Sequence, residues 1–384
     1  MNFVNLELRK NNLLEPGIDS MWNQKEDIES YLQSTMPKNF IFYTSTLHCF
    51  PLVDYHNFLK FNFFVHIQDE NFFTNINRPE YFLLINFSAE GNKINRLIDI
   101  IENLCNYYNI PYNKVILSTG NIDIPYPTKI NILSYNLFQS VVYNRFTPVT
   151  KESKKELKYC INECEKSFKG KFFSNLSRIP RDFRSIASCV LYQKYSDIGL
   201  FSHGKECNIN HSNVEQLNIS SKEFKKWKKK LPIVLDKDNF DRNWALDNDY
   251  YHIHDQTLFQ IVNETLVTDP GIFYSEKTFR PMTRFQPFII WGQKGINTKL
   301  QELGFKTYNH WFDLSFDNIK DDYERLEGLL ESVSKVITKI DGLSNKEKIE
   351  WRFNNRKVLM YNYNHLSDDK FNKNQINLLK QKIR

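Results

Sequence analysis

Three charged residues stand directly before a strongly apolar segment in the stretch "FYSEKTFRPMTRFQPFIIWG". Ser275 is a plausible N-cap, and a helix starting there has first-turn N–H groups and a positive dipole end that attract anions. Lys277 and Arg280 can add charge-assisted hydrogen bonds to a phosphate, and Glu276 suits paired ribose hydroxyls. The spacing therefore predicts a nucleotide diphosphate site. The alternative is an amphipathic helix with a surface Glu276–Arg280 pair.

A proline lies inside this candidate helix, one residue after Arg280. Because Pro281 has no N–H and its ring clashes with the preceding turn, a proline inside a helix costs about 3 kcal/mol. We therefore expect the helix to be kinked or to begin later.

The first part of the chain alternates short apolar runs with one amphipathic segment. Ile94, Leu97, Ile98 and Ile101 recur at helical spacing within 91–110. Strands are predicted on both sides of this helix, over 39–45, 61–67, 81–87, 114–120 and 129–135. A strand–helix–strand order favours right-handed βαβ units and a mostly parallel sheet.

A second α/β set follows a turn and a charged helix over 145–168, which is the candidate linker. Its predicted strands are 171–176, 198–202, 257–265, 286–292 and 305–308. Its predicted helices are about 181–194, 295–303 and 319–340. The pattern predicts an α/β fold of two Rossmann-like domains facing a cleft, with C-terminal helices, and ligands at the carboxyl ends of the strands. The sequence contains neither GxGxxG nor a Walker A motif.

Charge is unevenly distributed along the 384 residues, whose net charge is +6. Residues 1–150 carry 11 Lys and Arg against 14 Asp and Glu, so the remaining residues hold the positive excess. A basic second part suits a phosphorylated or polyanionic ligand. No apolar run approaches the ~20 residues of a membrane span, and the N-terminus lacks a signal-peptide core, so we expect a cytoplasmic protein without a membrane partner.

Three further patterns have simpler explanations than a functional site. Cys160 and Cys164 lack nearby paired ligands, so free thiols are favoured over a metal site. His252 and His254 share one face if the segment 250–256 is extended, but no third metal ligand is apparent. The segment 221–230 interleaves Phe224 and Trp227 with six lysines. It predicts either a nucleic-acid-binding surface or, preferably, an amphipathic helix with solvated lysines.

The sequence over 257–308 resembles the donor-binding half of family 10 glycosyltransferases, the α1,3-fucosyltransferases. It is similar, more closely, to a group of phage and viral glycosyltransferase-like proteins. The matching residues are Asn263, Glu264, Ser275, Glu276, Lys277, Pro281, Pro287, Gly292 and 303–308. The resemblance covers roughly residues 170–340, and the N-terminal domain matches only in its general layout.

The resemblance implies a GT-B architecture and assigns roles to individual residues. Glu276 is expected to bind the donor ribose and Lys277 a phosphate. An arginine after the first strand of the domain is expected to contact the pyrophosphate; Arg184 fits the spacing best, and Arg178 and Arg181 are the alternatives. The expected domains are an acceptor-side Rossmann-like domain, a nucleotide-sugar donor domain and a helical tail, over 1–148, 149–345 and 346–384.

An inverting transferase of this architecture needs a general base on the N-terminal domain, within hydrogen-bond reach of the acceptor hydroxyl. Glu90 comes just after the apolar strand 81–87 and before the helix, where an α/β active site lies. It is the predicted catalytic residue. Asp69 and Glu70, which follow the run 61–67, are the second choices.

These observations predict a nucleotide-sugar-dependent glycosyltransferase. The residues predicted to form its donor site are Arg184, Asn263, Glu264, Ser275, Glu276, Lys277 and Arg280. No tightly bound cofactor and no metal are expected, since basic groups can stabilise the leaving phosphate. The acceptor is predicted to be DNA carrying a hydroxymethylated base; a polysaccharide or glycolipid is the alternative. A non-catalytic nucleic-acid-binding protein, or another enzyme with a diphosphate ligand, remains open.

Overall fold

The computed structural model describes residues 2–5, 40–46, 71–88, 91, 94–146, 152–235, 251–368 and 370–383. The first elements are β1 (Asn2–Asn5), β2 (Ile41–Thr46), α1 (Phe72–Asn75), β3 (Tyr81–Phe87), α2 (Ile94–Tyr107), β4 (Val115–Thr119), β5 (Asn131–Ser134) and α3 (Leu137–Phe146). They are followed by α4 (Ser153–Ser167), β6 (Lys171–Ser177), α5 (Asp182–Tyr195), β7 (Gly199–His203), α6 (Ser212–Glu215), α7 (Ser221–Lys228), α8 (Tyr251–Asp255), β8 (Thr257–Asn263), α9 (Glu276–Thr283), β9 (Phe288–Trp291) and α10 (Ile296–Glu302). The last helices are α11 (Asp322–Asp341), α12 (Asn345–Phe353), α13 (Arg356–His365) and α14 (Lys370–Ile383).

The chain divides into two compact units. The first unit holds 1–137, 269–273 and 369–384, and the second unit holds 138–268 and 274–368. Each contains one parallel sheet, so the predicted class of two Rossmann-like α/β units with C-terminal helices is confirmed. The cleft predicted between them stays a prediction.

The first unit is built on a parallel sheet with the order β1-β2-β3-β4-β5. Strand β3 is an almost continuous apolar run because parallel strands are covered on both faces. Leu97, Ile101 and Leu104 of α2 pack in one buried cluster with Leu83 of β3 and Leu117 of β4. Burying each such side chain stabilises the fold by about 1.5–3 kcal/mol. The helix face that carries these apolar residues is therefore the face that packs against the sheet.

Two distant segments join the first unit. Ile122 N–H donates to the Ile272 carbonyl at 2.8 Å, and Ile272 N–H donates to Asn121 Oδ1 at 3.0 Å. Asn136 N–H donates to Asn372 Oδ1 of α14 at 2.8 Å. The units are therefore interleaved in sequence, whereas the predicted boundaries after residues 148 and 345 are linear.

The second unit has the parallel sheet order β7-β6-β8-β9. The chain runs from β6 to the neighbouring β7 and then returns past β6 to β8. The strand order thus reverses between β6 and β8, and the carboxyl ends of these two strands form a topological switch point, where open α/β sheets bind ligands.

One predicted strand in the second unit is wrong, and another segment is helical. Residues 305–308 form no strand, because Lys306 exchanges backbone hydrogen bonds with the Asn362 side chain, at 2.8 Å to its Oδ1 and 2.7 Å from its Nδ2. The segment 250–256, in which His252 and His254 would share one face if it were extended, contains the helix α8. The predicted strand 61–67 lies outside the described residues.

Candidate functional site

Helix α9 begins at Glu276, directly after the serine that the sequence predicts as its N-cap. Ser275 Oγ accepts from Lys277 N–H at 3.4 Å, and the Ser275 carbonyl accepts from Thr278 N–H at 3.3 Å. The N–H groups of Lys277 and Thr278 are therefore engaged within the helix start, so the charged side chains of this turn are better placed than its backbone to hold an anion.

The position of α9 is set by Glu264, which is fully buried at the end of β8. Its Oε1 accepts from Ser275 N–H at 3.1 Å and from Thr278 Oγ1 at 2.6 Å. Its Oε2 accepts from Ser275 Oγ at 2.7 Å and from Thr265 N–H at 3.2 Å. A carboxylate occupied by four donors holds the helix start against the strand and has no capacity left for a ligand.

Pro281 lies inside α9 without delaying its start. The helix ends two residues later at Thr283, and Gln286 N–H donates to the Pro281 carbonyl at 3.0 Å. Of the two expected alternatives, a kink or a later start, the later start is therefore wrong. Because the proline follows the turn that carries Glu276 and Lys277, its missing N–H leaves the charged turn intact.

A cavity of about 90 Å³ lies beside α9 in the second unit. It is lined by Leu176, Arg178, Ile179, Arg184, Ser202, His254, Gln260, Glu276, Lys277 and Arg280. Four of the seven predicted donor residues meet here: Arg184, Glu276, Lys277 and Arg280. The residues that follow β6 and the residues of α9 that follow β8 thus converge at the switch point of the sheet.

The charges around the cavity are strongly coupled. Lys277 Nζ lies 2.9 Å from Glu276 Oε1, and both side chains are partly buried. Burial raises the pKa of Glu276, but Lys277 and Arg280 more than offset this and hold that pKa at about 2. Burial lowers the pKa of Lys277, which Glu276 partly restores. Four basic side chains face one carboxylate, so the cavity has an excess of positive charge.

Arg184 is buried and ties two loops together. Its Nε donates to the Glu264 carbonyl at 3.0 Å, its Nη1 to the Ile179 carbonyl at 3.3 Å and its Nη2 to Thr265 Oγ1 at 2.5 Å. Burial lowers its pKa to about 10, so it stays charged at neutral pH. Three of its five N–H groups bond to the protein, and Arg184 also lines the cavity. Arg178 also lines the cavity, whereas Arg181 is exposed and does not.

The remaining predicted donor residues lie behind the cavity. Asn263 is 1% exposed, and its Nδ2 donates to Ser177 Oγ at 2.8 Å and to Asn175 Oδ1 at 3.1 Å. Together with Glu264 and Ser275, it joins the carboxyl ends of β6 and β8 to α9. These residues position the site without lining it.

The predicted base, Glu90, and its alternatives, Asp69 and Glu70, lie outside the described residues.

Two lining residues were not predicted for this site: Gln260 was not singled out, and His254 was considered only as half of a metal site. His254 Nδ1 donates to Gln286 Oε1 at 2.6 Å. The Gln286 amide is oriented by its Nε2, which donates to Thr257 Oγ1 at 2.8 Å, so its oxygen faces His254. Burial lowers the pKa of His254 to about 3, so the ring is neutral and Nε2 is an acceptor. Gln260 is a single polar residue in the otherwise apolar centre of β8, and this pattern in the sequence could have marked it as a site residue.

The lysine-rich helix α7 is amphipathic, which is the alternative that the sequence analysis preferred. Phe224 and Trp227 are buried, 6% and 0% exposed, while all six lysines of 221–230 are exposed. The aromatic rings therefore pack in the core and are not available for stacking on bases.

A larger cavity of about 300 Å³ lies elsewhere in the second unit, bordered by Lys194, Tyr195, Leu217, Asn218, Glu327, Leu330, Glu331 and Ser334. Its two carboxylates outnumber its one ammonium group, so it does not suit a phosphate. The smaller cavity carries the predicted residues and the positive charge.

Across the residues that the structure describes, no three His, Cys, Asp or Glu side chains are grouped closely enough to hold a metal ion. Within the same residues, no helix has the length and apolar character to cross a membrane.

Comparison with known proteins adds little. No protein-family model matches the chain, and no curated protein matches it. Among solved structures, it is similar to the N-terminal domain of trehalose-6-phosphate phosphatase from Candida albicans, with a TM-score of 0.42 and 11% identical residues. The similarity covers 86% of this chain and 76% of that domain chain. A similarity this weak assigns neither an activity nor a ligand.

Proposed function

We propose that the second unit binds the diphosphate of a nucleotide sugar and that the protein is a nucleotide-sugar-dependent glycosyltransferase. The observation that carries this proposal is the cavity at the switch point of the second sheet, where Arg178, Arg184, Lys277 and Arg280 surround one carboxylate, Glu276. The excess positive charge suits a doubly charged diphosphate.

The cavity volume indicates which part of a donor it accepts. Pockets that enclose a whole drug-sized ligand measure ~300–1,000 Å³, whereas this cavity measures about 90 Å³. It therefore takes a small polar portion of the donor, and the rest of the nucleotide lies beyond its exposed rim, marked by Ile179.

The basic groups also suit the chemistry of transfer. Breaking the bond between the sugar and the diphosphate leaves negative charge on the leaving oxygen, and fixed cations stabilise that charge in the transition state. Lys277 and Arg280 are on a helix that Glu264 and Ser275 hold in place, so their positions are set before the ligand binds. Such an arrangement needs little reorganisation during reaction.

The proposed acceptor is DNA with a hydroxymethylated base, with a polysaccharide or glycolipid as the alternative. The exposed lysines of α7 support a polyanionic acceptor, because a row of ammonium groups attracts a phosphate backbone. Since Phe224 and Trp227 are buried, this surface suits backbone contacts rather than base stacking.

Binding of nucleoside diphosphates tests the proposal. Isothermal titration of the full chain with ADP, GDP, UDP and CDP, and with the corresponding monophosphates, should show one diphosphate that binds and a monophosphate that binds more weakly. The nucleosides of hydroxymethylated DNA incubated with enzyme and mixed nucleotide sugars should then gain the mass of a sugar. Failure of every diphosphate and of inorganic pyrophosphate to bind would remove the proposed function.

A further inference from the structure

The sheet face beside the cavity is polar where a packed core is usually apolar. Ser174 of β6 is paired in register with Gln260 of β8, and Leu176 is paired with Ser202 of β7. Register partners on parallel strands project to the same face, and so do alternate residues of one strand. These four side chains therefore share one face, and three of them line the cavity: Leu176, Ser202 and Gln260.

Two polar atoms on this face lack hydrogen bonds. Gln260 Oε1 and Ser174 Oγ are buried in residues that are 4% and 0% exposed, and neither atom has a partner among the described residues. An unsatisfied buried polar group costs about 1–3 kcal/mol, so native proteins retain few of them without a reason. A ligand that donates to Gln260 Oε1 supplies such a reason.

The neighbouring histidine presents an acceptor to the same cavity. Gln286 fixes the proton of His254 on Nδ1, which leaves a lone pair on Nε2. His254 is 2% exposed and lines the cavity with Gln260. The two residues therefore form an acceptor pair of defined tautomer, the His254–Gln260 pair.

An acceptor pair repels phosphate oxygens and attracts hydroxyl groups. The cavity thus has two chemically different sides: cations on Lys277 and Arg280, which attract phosphate, and lone pairs on His254 and Gln260, which attract O–H donors. The geometry points to a hydroxyl subsite, in which the His254–Gln260 pair accepts hydrogen bonds from hydroxyl groups of the bound nucleotide sugar. This inference rests on the proposed function and names the group that the site selects.

The hydroxyls can come from the ribose or from the transferred sugar, and matched ligands separate these sources. The nucleoside diphosphate that binds the parent protein is compared with its 2′-deoxy and 3′-deoxy forms, with its nucleotide sugars and with inorganic pyrophosphate. Gln260→Leu keeps the side-chain size and removes the acceptor. His254→Asn keeps a donor near Gln286 and removes Nε2. Gln193→Leu, at a half-buried position of α5 that does not line the cavity, is the matched control.

A ribose hydroxyl in the subsite makes the parent bind a deoxynucleotide about five- to 150-fold more weakly than the ribonucleotide, from the ~1–3 kcal/mol of an unpaired buried group. Gln260→Leu or His254→Asn then weakens the ribonucleotide by a similar factor and removes the discrimination. A sugar hydroxyl instead leaves deoxynucleotide binding unchanged, and the nucleotide sugar loses affinity in the variants. Pyrophosphate should bind the parent, both variants and Gln193→Leu equally.

The outcomes separate this inference from the proposed function. If pyrophosphate and the diphosphates bind but no deoxy form or nucleotide sugar distinguishes the parent from the two variants, water alone satisfies these atoms and the hydroxyl subsite is overturned. If neither pyrophosphate nor any diphosphate binds the parent, the proposed function fails and the inference fails with it. Melting temperatures of the variants confirm folding; Gln260→Leu should melt no lower than the parent.

Discussion

Glu264 Oε2 accepts a hydrogen bond from Ser275 Oγ at 2.7 Å, which ties the end of β8 to the N-cap of α9 across ten intervening residues. Glu264 is fully buried and Ser275 is 3% exposed, so no solvent competes for the bond. The bond explains why a glutamate at the end of a strand and a serine before a helix accompany the cations Lys277 and Arg280. The bond fixes the position of the charged turn of α9 relative to the end of β8.

We expect Glu264→Gln to weaken the connection between β8 and the N-cap of α9. The amide replaces one acceptor oxygen with a donor that faces existing donors, such as Ser275 and Thr278, and charge-assisted bonds are worth about 1.5–3 kcal/mol each. The melting temperature should fall, and diphosphate affinity should fall at least tenfold. Glu347→Gln, in the exposed capping box of α12, is the matched control and should leave affinity unchanged. Parental affinity in Glu264→Gln would show that the bond does not position the site.

Lys277→Ala should weaken diphosphate binding about 10- to 150-fold, because it removes one charged hydrogen bond worth about 1.5–3 kcal/mol. Lys277 is partly exposed, so the melting temperature should change little. Titration calorimetry measures the affinity, and Lys222→Ala, on the exposed face of α7, provides a control with the same loss of charge. Equal affinities in the two variants would contradict a phosphate contact by Lys277.

The charged residues of the site could be predicted from the sequence because their types are unusual before an apolar run. Glu276, Lys277 and Arg280 line the cavity, and so does Arg184, the arginine after β6 that the resemblance singled out. Strands such as β3 could be predicted because a parallel strand is apolar along its length.

The rest depended on contacts that local patterns do not contain. Asn121 pairs with Ile272, which is 151 residues away, so the interleaving of the units has no sequence signal. The pattern around His254 does not show the helix α8, and only the fold brings this residue to Gln286 and the cavity. Gln260 has an apolar neighbour on each side in β8, and its lack of a partner appears only when its register with Ser174 is known.

Turnover should continue in excess EDTA. Lys277, Arg178 and Arg280 supply positive charge where a leaving diphosphate is expected, so these side chains can perform the stabilisation that a divalent ion performs in other transferases. The measurement is release of nucleoside diphosphate from the nucleotide sugar, with and without chelator. Activity that disappears with EDTA and returns with Mn²⁺ or Mg²⁺ would contradict this expectation.

Glu90 remains the base predicted from the sequence, because it follows the end of β3, where α/β active sites lie. Glu90→Gln should reduce turnover about 10²- to 10⁴-fold, the usual contribution of general-base catalysis, and leave diphosphate binding unchanged. Asp69→Asn and Glu70→Gln are the matched comparisons and should retain more activity. Near-parental turnover in Glu90→Gln, or a product with the donor's anomeric configuration, would remove this role.

His254 should make stability depend on pH. Burial lowers its pKa from 6.5 to about 3, so the folded protein keeps the ring neutral while the unfolded chain takes up a proton near pH 6.5. Because the unfolded state binds more protons, the stabilisation is fully present above pH 6.5 and falls as the pH falls from 6.5 towards 3. The slope approaches about 1.4 kcal/mol per pH unit for one group.

Melting temperatures between pH 7.5 and 5 measure this slope above the range in which most carboxylates titrate. His203, whose pKa burial also lowers, contributes in the same direction and is present in every variant compared. His254→Asn should flatten the dependence because it removes one of the protons taken up on unfolding. His310→Asn, at an exposed position, should follow the parent curve. Parallel curves for the parent and His254→Asn would mean that His254 takes up its proton as readily in the folded protein as in the unfolded chain, which would contradict a ring held neutral by burial.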